Sequence, residues 1–510
     1  MNKGKQLSIN LIAQVVAFFV NFGINFFLTP FVLDNVGREA YGFVSLGNNF
    51  VNYASLLSLA LNSMAGRFVT LKIHQDDFKS ANQYYTSVIV TDCFLAIGLS
   101  VPAFIIVSNL KNIVSVPLNI LTDVQWLWIF LFASFLIDII MATFAVPLFS
   151  ANRLDIQSKR NILAYLIKSG ILLILYYLFP AKIWYIGFAN IVCTIYTAIA
   201  NIISGRKLYP ELGVKIEYFN FSKLKDVFAS GIWNSISRVG SIALTELDLL
   251  LSNLFIGANA MGTLSIAKTV PTYVSSFISS IICVFLPGLT ISYAQGDREK
   301  LVYEIKSYIR LLIYFQTIIY GGLFIYLNTF LKLWLPVETK DINYIYLLAI
   351  LTILDCIVSP IANIMFNVFT VTNKIKFSSI TVIVTGLMSV TITYLLLKFT
   401  DFGLIAIAGV SVLLCNIRNI CILIPYGAKC INMPWYTFFN ELGLNVISLI
   451  CSILICLVIR IFTYFNDNWV NLIFSIVISA ISVACINFFL ILKNEERNYV
   501  KSRIKRLLQK

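Results

Sequence analysis

The stretch that decides the fold runs from Phe228 to Val270. It reads Phe228-Ala-Ser-Gly-Ile-Trp-Asn-Ser-Ile-Ser-Arg238-Val-Gly, continues through Glu246-Leu-Asp248 and Ile256-Gly257-Ala-Asn-Ala260-Met-Gly262, and closes on Ala267-Lys268. This pattern predicts two long apolar helices joined by a very short turn, with a lone arginine near the middle of the first helix. The turn resembles an earlier one, Val36-Gly37-Arg-Glu-Ala40-Tyr-Gly42, because two glycines and an alanine recur 220 residues later. The similarity predicts a duplicated membrane protein.

The composition indicates a membrane protein. Of the 510 residues, 59% are apolar and 12% are charged, which is about half the charged share of a soluble domain. Apolar runs of about 20 residues, long enough for a helix to cross the hydrocarbon, recur along the whole chain. We therefore predict an all-α polytopic membrane protein.

The apolar runs predict fourteen transmembrane helices. They cover residues 8–33, 42–64, 84–108, 124–148, 161–180, 184–204, 227–255, 260–286, 305–329, 343–369, 377–398, 402–424, 440–464 and 469–492. Of the 38 Lys and Arg residues, 27 fall on the side of the N-terminus, 6 on the opposite side and 5 within the helices. Basic residues accumulate in cytoplasmic loops, so both termini are predicted to be cytoplasmic.

The duplication extends beyond the turn. Leu136-Ile-Asp138-Ile-Ile in the fourth predicted helix is similar to Ile353-Leu-Asp355-Cys-Ile in the tenth. Two parallel six-helix repeats are predicted, at 1–204 and 227–424, with helices 13 and 14 at 425–492. The linker at 205–226 and the tail at 493–510 are basic and amphipathic. We expect both to bind anionic membrane lipids, and a protein-binding tail is the alternative.

Several classes of site are disfavoured. The ten cysteines form no CxxC pair and the chain has one histidine, so no metal and no cofactor are expected. The net charge of +14 is explained by the basic residues of the predicted cytoplasmic loops. No nucleic-acid partner is therefore expected. A Gly-rich phosphate loop with a following Lys-Ser or Lys-Thr, the signature of direct ATP use, is missing from the sequence.

This pattern resembles the multidrug/oligosaccharidyl-lipid/polysaccharide exporter superfamily, which is MATE-like, and within it the bacterial polysaccharide flippases of the Wzx type. The resemblance rests on Val36-Gly-Arg-Glu-Ala-Tyr-Gly-Phe-Val-Ser-Leu and on the seventh predicted helix with its turn. It implies two six-helix lobes around a central cavity and transport by alternating access. The cargo implied is an undecaprenyl-diphosphate-linked oligosaccharide, moved from the inner to the outer leaflet of the bacterial plasma membrane for O-antigen, capsule or exopolysaccharide synthesis. A polysaccharide polymerase is a candidate partner.

Cations within the membrane are candidates for binding the diphosphate. A charge there usually faces protein or a wet cavity, and arginine binds phosphate in a bidentate manner. The candidates are Arg238, Arg67, Lys268 and Arg418. Each has an alternative: an internal ion pair for Arg238, a surface anchor for Arg67, pairing with Glu246 or Asp248 for Lys268, and reaching out to the interface for Arg418.

Amides are candidates for binding the sugar. The set is Asn21, Asn25, Asn48, Asn52 and Asn234. Asn21 and Asn25 are spaced to share one helix face, as are Asn48 and Asn52. Hydrogen bonding between helices is the alternative.

Ion coupling has weaker candidates, namely Glu246, Asp248 and Asp355. The alternative function is a drug/cation antiporter. The resemblance implies that such antiporters use an acidic residue within the first helix, and the first predicted helix here has no acid before Asp34. This difference counts against the antiporter. Lys168, Asp92 and Asp138 are expected to form an ion network within the first lobe. A membrane enzyme, such as a polysaccharide polymerase or glycosyltransferase, would need a sizeable outer loop presenting catalytic acids or bases, and we expect no enzymatic activity.

Overall fold

The computed structural model describes residues 3–282, 285, 289, 292–293, 298–335, 341–372, 374–463, 467–493 and 496–497. The side chains of residues 3–8, 11, 60, 63, 230, 231, 233 and 234 also lie outside the description. All regular secondary structure in the described part is helical. The chain divides into two compact units, Met1–Ser265 and Ile266–Lys510. The predicted division into 1–204, 205–226, 227–424, 425–492 and 493–510 stays a prediction.

Eleven α-helices begin in the first unit. They are α1 (Lys3–Ala54), α2 (Leu56–Ile73), α3 (Phe78–Ser108), α4 (Leu110–Ile113), α5 (Leu121–Ala142), α6 (Val146–Ser150), α7 (Leu154–Leu178), α8 (Trp184–Leu208), α9 (Phe221–Thr245), α10 (Leu247–Phe255) and α11 (Ala258–Ile282). The boundary with the second unit falls inside α11.

The described residues of the second unit form eight more α-helices. They are α12 (Arg298–Trp334), α13 (Ile342–Ile353), α14 (Ser359–Val371), α15 (Ile375–Phe399), α16 (Leu404–Arg418), α17 (Ile424–Cys430), α18 (Phe439–Thr463) and α19 (Trp469–Leu490). A 3₁₀ turn at Leu354–Ile357 separates α13 from α14, and a π-helical turn at Asn419–Leu423 separates α16 from α17.

The helices have membrane dimensions. Within the described residues, ten are long and apolar enough to cross a bilayer, or eleven if the pair around Leu354–Ile357, bent by 53°, counts as one span. Large apolar side chains such as Phe104, Tyr177 and Phe462 are exposed on the outer faces of these helices, a surface suited to lipid and not to water. The protein is therefore an all-α, multi-pass membrane protein. The number of fourteen spans stays a prediction.

The two similar turns share one backbone requirement. Gly37 interrupts α1 with φ 80° and ψ 169°, and Gly257 precedes α11 with φ 127°. Both values lie where an L side chain is strained, which explains why glycine occupies both positions. The sequence placed helix ends at these two turns, and the backbone breaks at both.

Positions 220 residues apart also touch each other. The hydroxyl oxygens of Ser45 and Ser265 are 2.6 Å apart. A β-carbon added to Gly42 would lie 2.9 Å from the α-carbon of Gly262, and one added to Gly262 would lie 2.8 Å from the carbonyl carbon of Arg38. Corresponding positions meet in this way when two related segments pack around a two-fold axis. Glycine permits the backbones of α1 and α11 to come into contact there.

Replacing Gly262 by alanine is expected to destabilise the protein. The added methyl overlaps the Arg38 carbonyl, a backbone group that cannot rotate away, and overpacking of this kind costs about 1–3 kcal/mol. Gly23 of α1 is the matched control, because a β-carbon there meets nothing within 4 Å. Gly23→Ala should be neutral or stabilising, by up to about 1 kcal/mol. Unfolding in mixed micelles measures both, and equal effects of the two variants would contradict the close contact.

The linker at 205–226 is attached to the first unit. The side-chain amide of Asn82 accepts a hydrogen bond from the Gly213 nitrogen over 2.8 Å, while Ile216 and Phe221 remain largely exposed. A backbone held against α3 with apolar side chains pointing outwards suits an interfacial segment.

A buried ion cluster holds the second unit together. Arg310 of α12, Glu441 of α18 and Glu496, which follows α19, are each less than 10% exposed. Arg310 Nη2 lies 3.0 Å from Glu496 Oε1, and its Nη1 lies 3.7 Å from Glu441 Oε1. Lys306 approaches the same Glu441 oxygen at 3.8 Å. Two cations and two anions thus join three segments that are distant in sequence.

Candidate functional site

A polar cavity of about 340 Å³ lies inside the first unit. Helices α1, α5, α7 and α8 supply its wall. Five asparagines line it, namely Asn21, Asn25, Asn48, Asn161 and Asn190. Its volume is at the small end of the range for ligand sites, and a cluster of amides is unusual in a lobe whose outer surface is apolar.

Helical spacing builds two walls of the cavity. On α7, Asn161, Tyr165 and Lys168 are four and then three residues apart, so they project from one face. On α8, Asn190, Thr194 and Thr197 repeat the same spacing and line the same cavity. These two polar stripes belong to neighbouring helices of the unit, and they were not among the predicted sugar-binding residues. Their four-and-three spacing was visible in the sequence.

The break at Gly37 positions the amides of α1. Asn21 and Asn25 lie before the break and Asn48 after it, and all three reach the same cavity. Asn25 Nδ2 donates to Asn21 Oδ1 over 2.7 Å, which fixes this pair. Asn52 is not among the residues that line the cavity. The side chain of Asn234 lies outside the described residues.

Two charged residues line the cavity, Asp138 from α5 and Lys168 from α7. Neither forms an ion pair with a described residue. Asp92, the third member of the expected network, is elsewhere: it is fully buried and accepts a hydrogen bond from Thr143 over 3.3 Å. The expected three-residue network is therefore wrong for the described contacts, because Asp92 faces the 3₁₀ turn after α5 and not the cavity.

Arg238 of α9 is paired internally. Its Nη2 lies 2.5 Å from Glu246 Oε1, at the break between α9 and α10. The Glu246 carbonyl oxygen accepts hydrogen bonds from Asn49 and from the Tyr53 hydroxyl, each over 2.7 Å. The geometry thus contains the internal ion pair that the sequence left open. About a third of the Arg238 side chain remains exposed, and phosphate binding stays a prediction.

The second unit contains Asp355, which is half-buried, and Arg418, which is buried. Asp355 lies in the 3₁₀ turn and Arg418 is the last residue of α16. Arg418 Nη2 donates to Asn419 Oδ1 over 2.9 Å. Arg418 is only 6% exposed, so it does not extend to the interface as the alternative supposed. Helix irregularities of both kinds occur often at functional sites.

The remaining candidates are placed as follows. Arg67 is exposed on α2, in the first unit, and Asp248 is buried in the first turn of α10. Lys268 lies half-buried on α11, within the second unit. Diphosphate binding by Arg67, Arg238, Lys268 or Arg418 stays a prediction, as does ion coupling through Glu246, Asp248 or Asp355.

Together, the membrane-length helices and the polar cavity define a multi-pass membrane protein able to hold a polar molecule within a lobe. Residues 4–293, more than half of the chain, match the model of the family described as polysaccharide biosynthesis protein. The chain belongs to this family. Among curated proteins it is similar to the uncharacterized membrane protein EpsK of Bacillus subtilis strain 168, with 25% identity over 505 residues and 98% of each chain covered.

Solved structures share the fold. An inward-facing multidrug resistance MATE family transporter of the MOP superfamily matches with a TM-score of 0.64 and 16% identity, over 84% of this chain and 97% of that one. The lipid II flippase MurJ in an inward closed conformation matches with a TM-score of 0.62 and 15% identity, over 93% of this chain and 97% of that one. A MOP superfamily transporter from Pyrococcus furiosus matches with a TM-score of 0.58. The fold is thus MATE-like.

Proposed function

We propose that this protein is a flippase that moves an undecaprenyl-diphosphate-linked oligosaccharide from the inner to the outer leaflet of the bacterial plasma membrane. It serves the synthesis of a surface polysaccharide, with both termini in the cytoplasm, and works by alternating access. The linker and tail rest on anionic lipids, and a polysaccharide polymerase takes the delivered units. Membership of the polysaccharide biosynthesis family supports the pathway.

The amide-lined cavity is the observation that carries the proposal. Asparagine offers two donors and an acceptor that takes two hydrogen bonds, which matches the mixed donor and acceptor character of sugar hydroxyls. Asn21, Asn25 and Asn48 were singled out for the sugar from the sequence, and they line one cavity with two further asparagines. Without such a ligand, the amides of this cavity would have to be satisfied by each other or by water.

A drug/cation antiporter is the competing function within the same fold. An apolar drug would favour a cavity lined mainly by hydrophobic and aromatic side chains. This cavity contains five amides, two charges and four hydroxyl-bearing residues at Ser134, Tyr165, Thr194 and Thr197. The cavity therefore favours a hydroxyl-rich cargo.

Deleting the gene tests the proposal. We expect the lipid-linked oligosaccharide to accumulate on the inner leaflet, where reagents added outside intact cells do not reach it, and the surface polymer to be lost. Restoring the gene should reverse both effects. Unchanged lipid-linked intermediates together with altered drug sensitivity would overturn the flippase and favour the antiporter.

A further inference from the structure

Lys168 is the residue of the cavity that the proposed sugar site leaves unexplained. An ammonium group has three donors and no acceptor, so it needs acceptors, and carboxylate or phosphate oxygens bind it most strongly. Lys168 is half-buried, and it forms no ion pair with a described residue. The cavity thus holds a cation that has no anionic partner among the described side chains.

Asp138 does not fill that role. It lines the same cavity, but it forms no ion pair with Lys168 or with another described residue. A carboxylate readily accepts hydrogen bonds from sugar hydroxyls, so Asp138 is satisfied by the same polyhydroxyl ligand as the asparagines. Lys168 is different, because burying a cation without an anion is costly.

We propose that the cavity selects a glycan unit bearing an acidic substituent, a carboxylate or a phosphate, whose anionic oxygens bind Lys168. The hydroxyls of the same unit bind Asp138 and the asparagines. The position of Lys168 on α7, one turn from Tyr165 and two turns from Asn161, places the cation at one end of a continuous polar stripe. The inference rests on the proposed flippase function and narrows its substrate class.

The test compares two glycolipids that differ at one carbon. Undecaprenyl diphosphate carrying glucuronic acid and the same lipid carrying glucose differ only at C6, which is a carboxylate in the first and a hydroxymethyl group in the second. The full-length protein is reconstituted into vesicles of phosphatidylethanolamine and phosphatidylglycerol, and flipping is followed by the fraction of glycolipid reached by periodate added outside. We expect the wild-type protein to flip the glucuronic acid lipid about 10- to 100-fold faster than the glucose lipid. This ratio corresponds to the contribution of one charge-assisted hydrogen bond.

Three variants separate the role of the charge from a general loss of function. Lys168→Met, of similar length and without charge, should flip both lipids at similar rates, and Lys168→Arg should retain a preference for the acid. Asp138→Asn should slow both lipids together and leave their ratio unchanged. Equal wild-type rates for the two lipids would overturn the inference and leave the flippase intact, whereas no flipping of either lipid would count against the flippase itself.

Discussion

Replacing Arg310 by methionine is expected to lower the free energy of unfolding by about 3–5 kcal/mol. The substitution removes the cation that faces both Glu441 and Glu496, and it leaves two buried carboxylates with little compensation. Lys306 cannot replace it, because its Nζ reaches only Glu441, at 3.8 Å. The measurement is equilibrium unfolding of the purified protein in mixed micelles.

A matched control lies at the other end of the same helix. Lys332 of α12 pairs with Asp467 at 3.7 Å, but the two side chains are 47% and 32% exposed. Exposed pairs of this kind contribute about 0–1 kcal/mol, so Lys332→Met should change little. Neutralising the three buried members together, with Arg310→Met, Glu441→Gln and Glu496→Gln, should recover most of the lost stability, because the only charge left in the cluster is Lys306, which is 26% exposed. A triple variant less stable than Arg310→Met would contradict this account.

The same cluster shows where sequence reasoning stops. Arg310 lies near the predicted cytoplasmic end of the span predicted at 305–329. Its acidic partners lie on α18 and after α19, more than a hundred positions later in the chain. No local sequence pattern indicates a pairing between residues so far apart in the sequence. The burial of Arg310 follows from how three segments pack, which helix periodicity does not specify.

The fold itself was more accessible from sequence. Apolar runs of membrane length predicted helices at positions where helices are present, because a span must satisfy its own backbone hydrogen bonds in lipid. The glycines of the two similar turns were identified by identity and spacing, and Gly37 and Gly257 both take positive φ values. That Gly42 and Gly262 also touch each other required the structure.

The cavity was partly predictable. Asn21, Asn25 and Asn48 were chosen because amides suit sugar hydroxyls and because their spacing places them on shared helix faces, and the structure brings the three to one cavity. Asn161 and Asn190 were missed although each belongs to a polar stripe of four-and-three spacing, because the sequence does not show that α7 and α8 line the same cavity as α1. Asn21 lies before the break at Gly37 and Asn48 after it, and both line the cavity, whereas Asn52 does not.

Arg238→Ala is expected to reduce flipping by about 100-fold while the protein remains folded in the membrane. The reason is the proposed contact with the diphosphate, since charge-assisted hydrogen bonds to arginine are individually worth about 10- to 100-fold and the bidentate geometry combines two. Arg153 is the matched control. It too forms an arginine–carboxylate pair, with Asp155 at 2.9 Å, and its side chain is 41% exposed. Arg153→Ala should flip the glycolipid at close to the wild-type rate.

The ion pair with Glu246 provides the decisive variant, because it separates support of the fold from contact with the substrate. Exchanging the two charges, with Arg238→Glu and Glu246→Arg, keeps an ion pair at the break between α9 and α10, so unfolding in micelles should return towards the wild-type value. In the exchanged variant the cation is at position 246 and an acid is at position 238. That acid would repel a diphosphate bound at position 238. We therefore expect the exchanged variant to be stable and still deficient in flipping. If the exchange restores both stability and flipping, Arg238 serves only to hold α9 against α10, and the phosphate must be bound elsewhere.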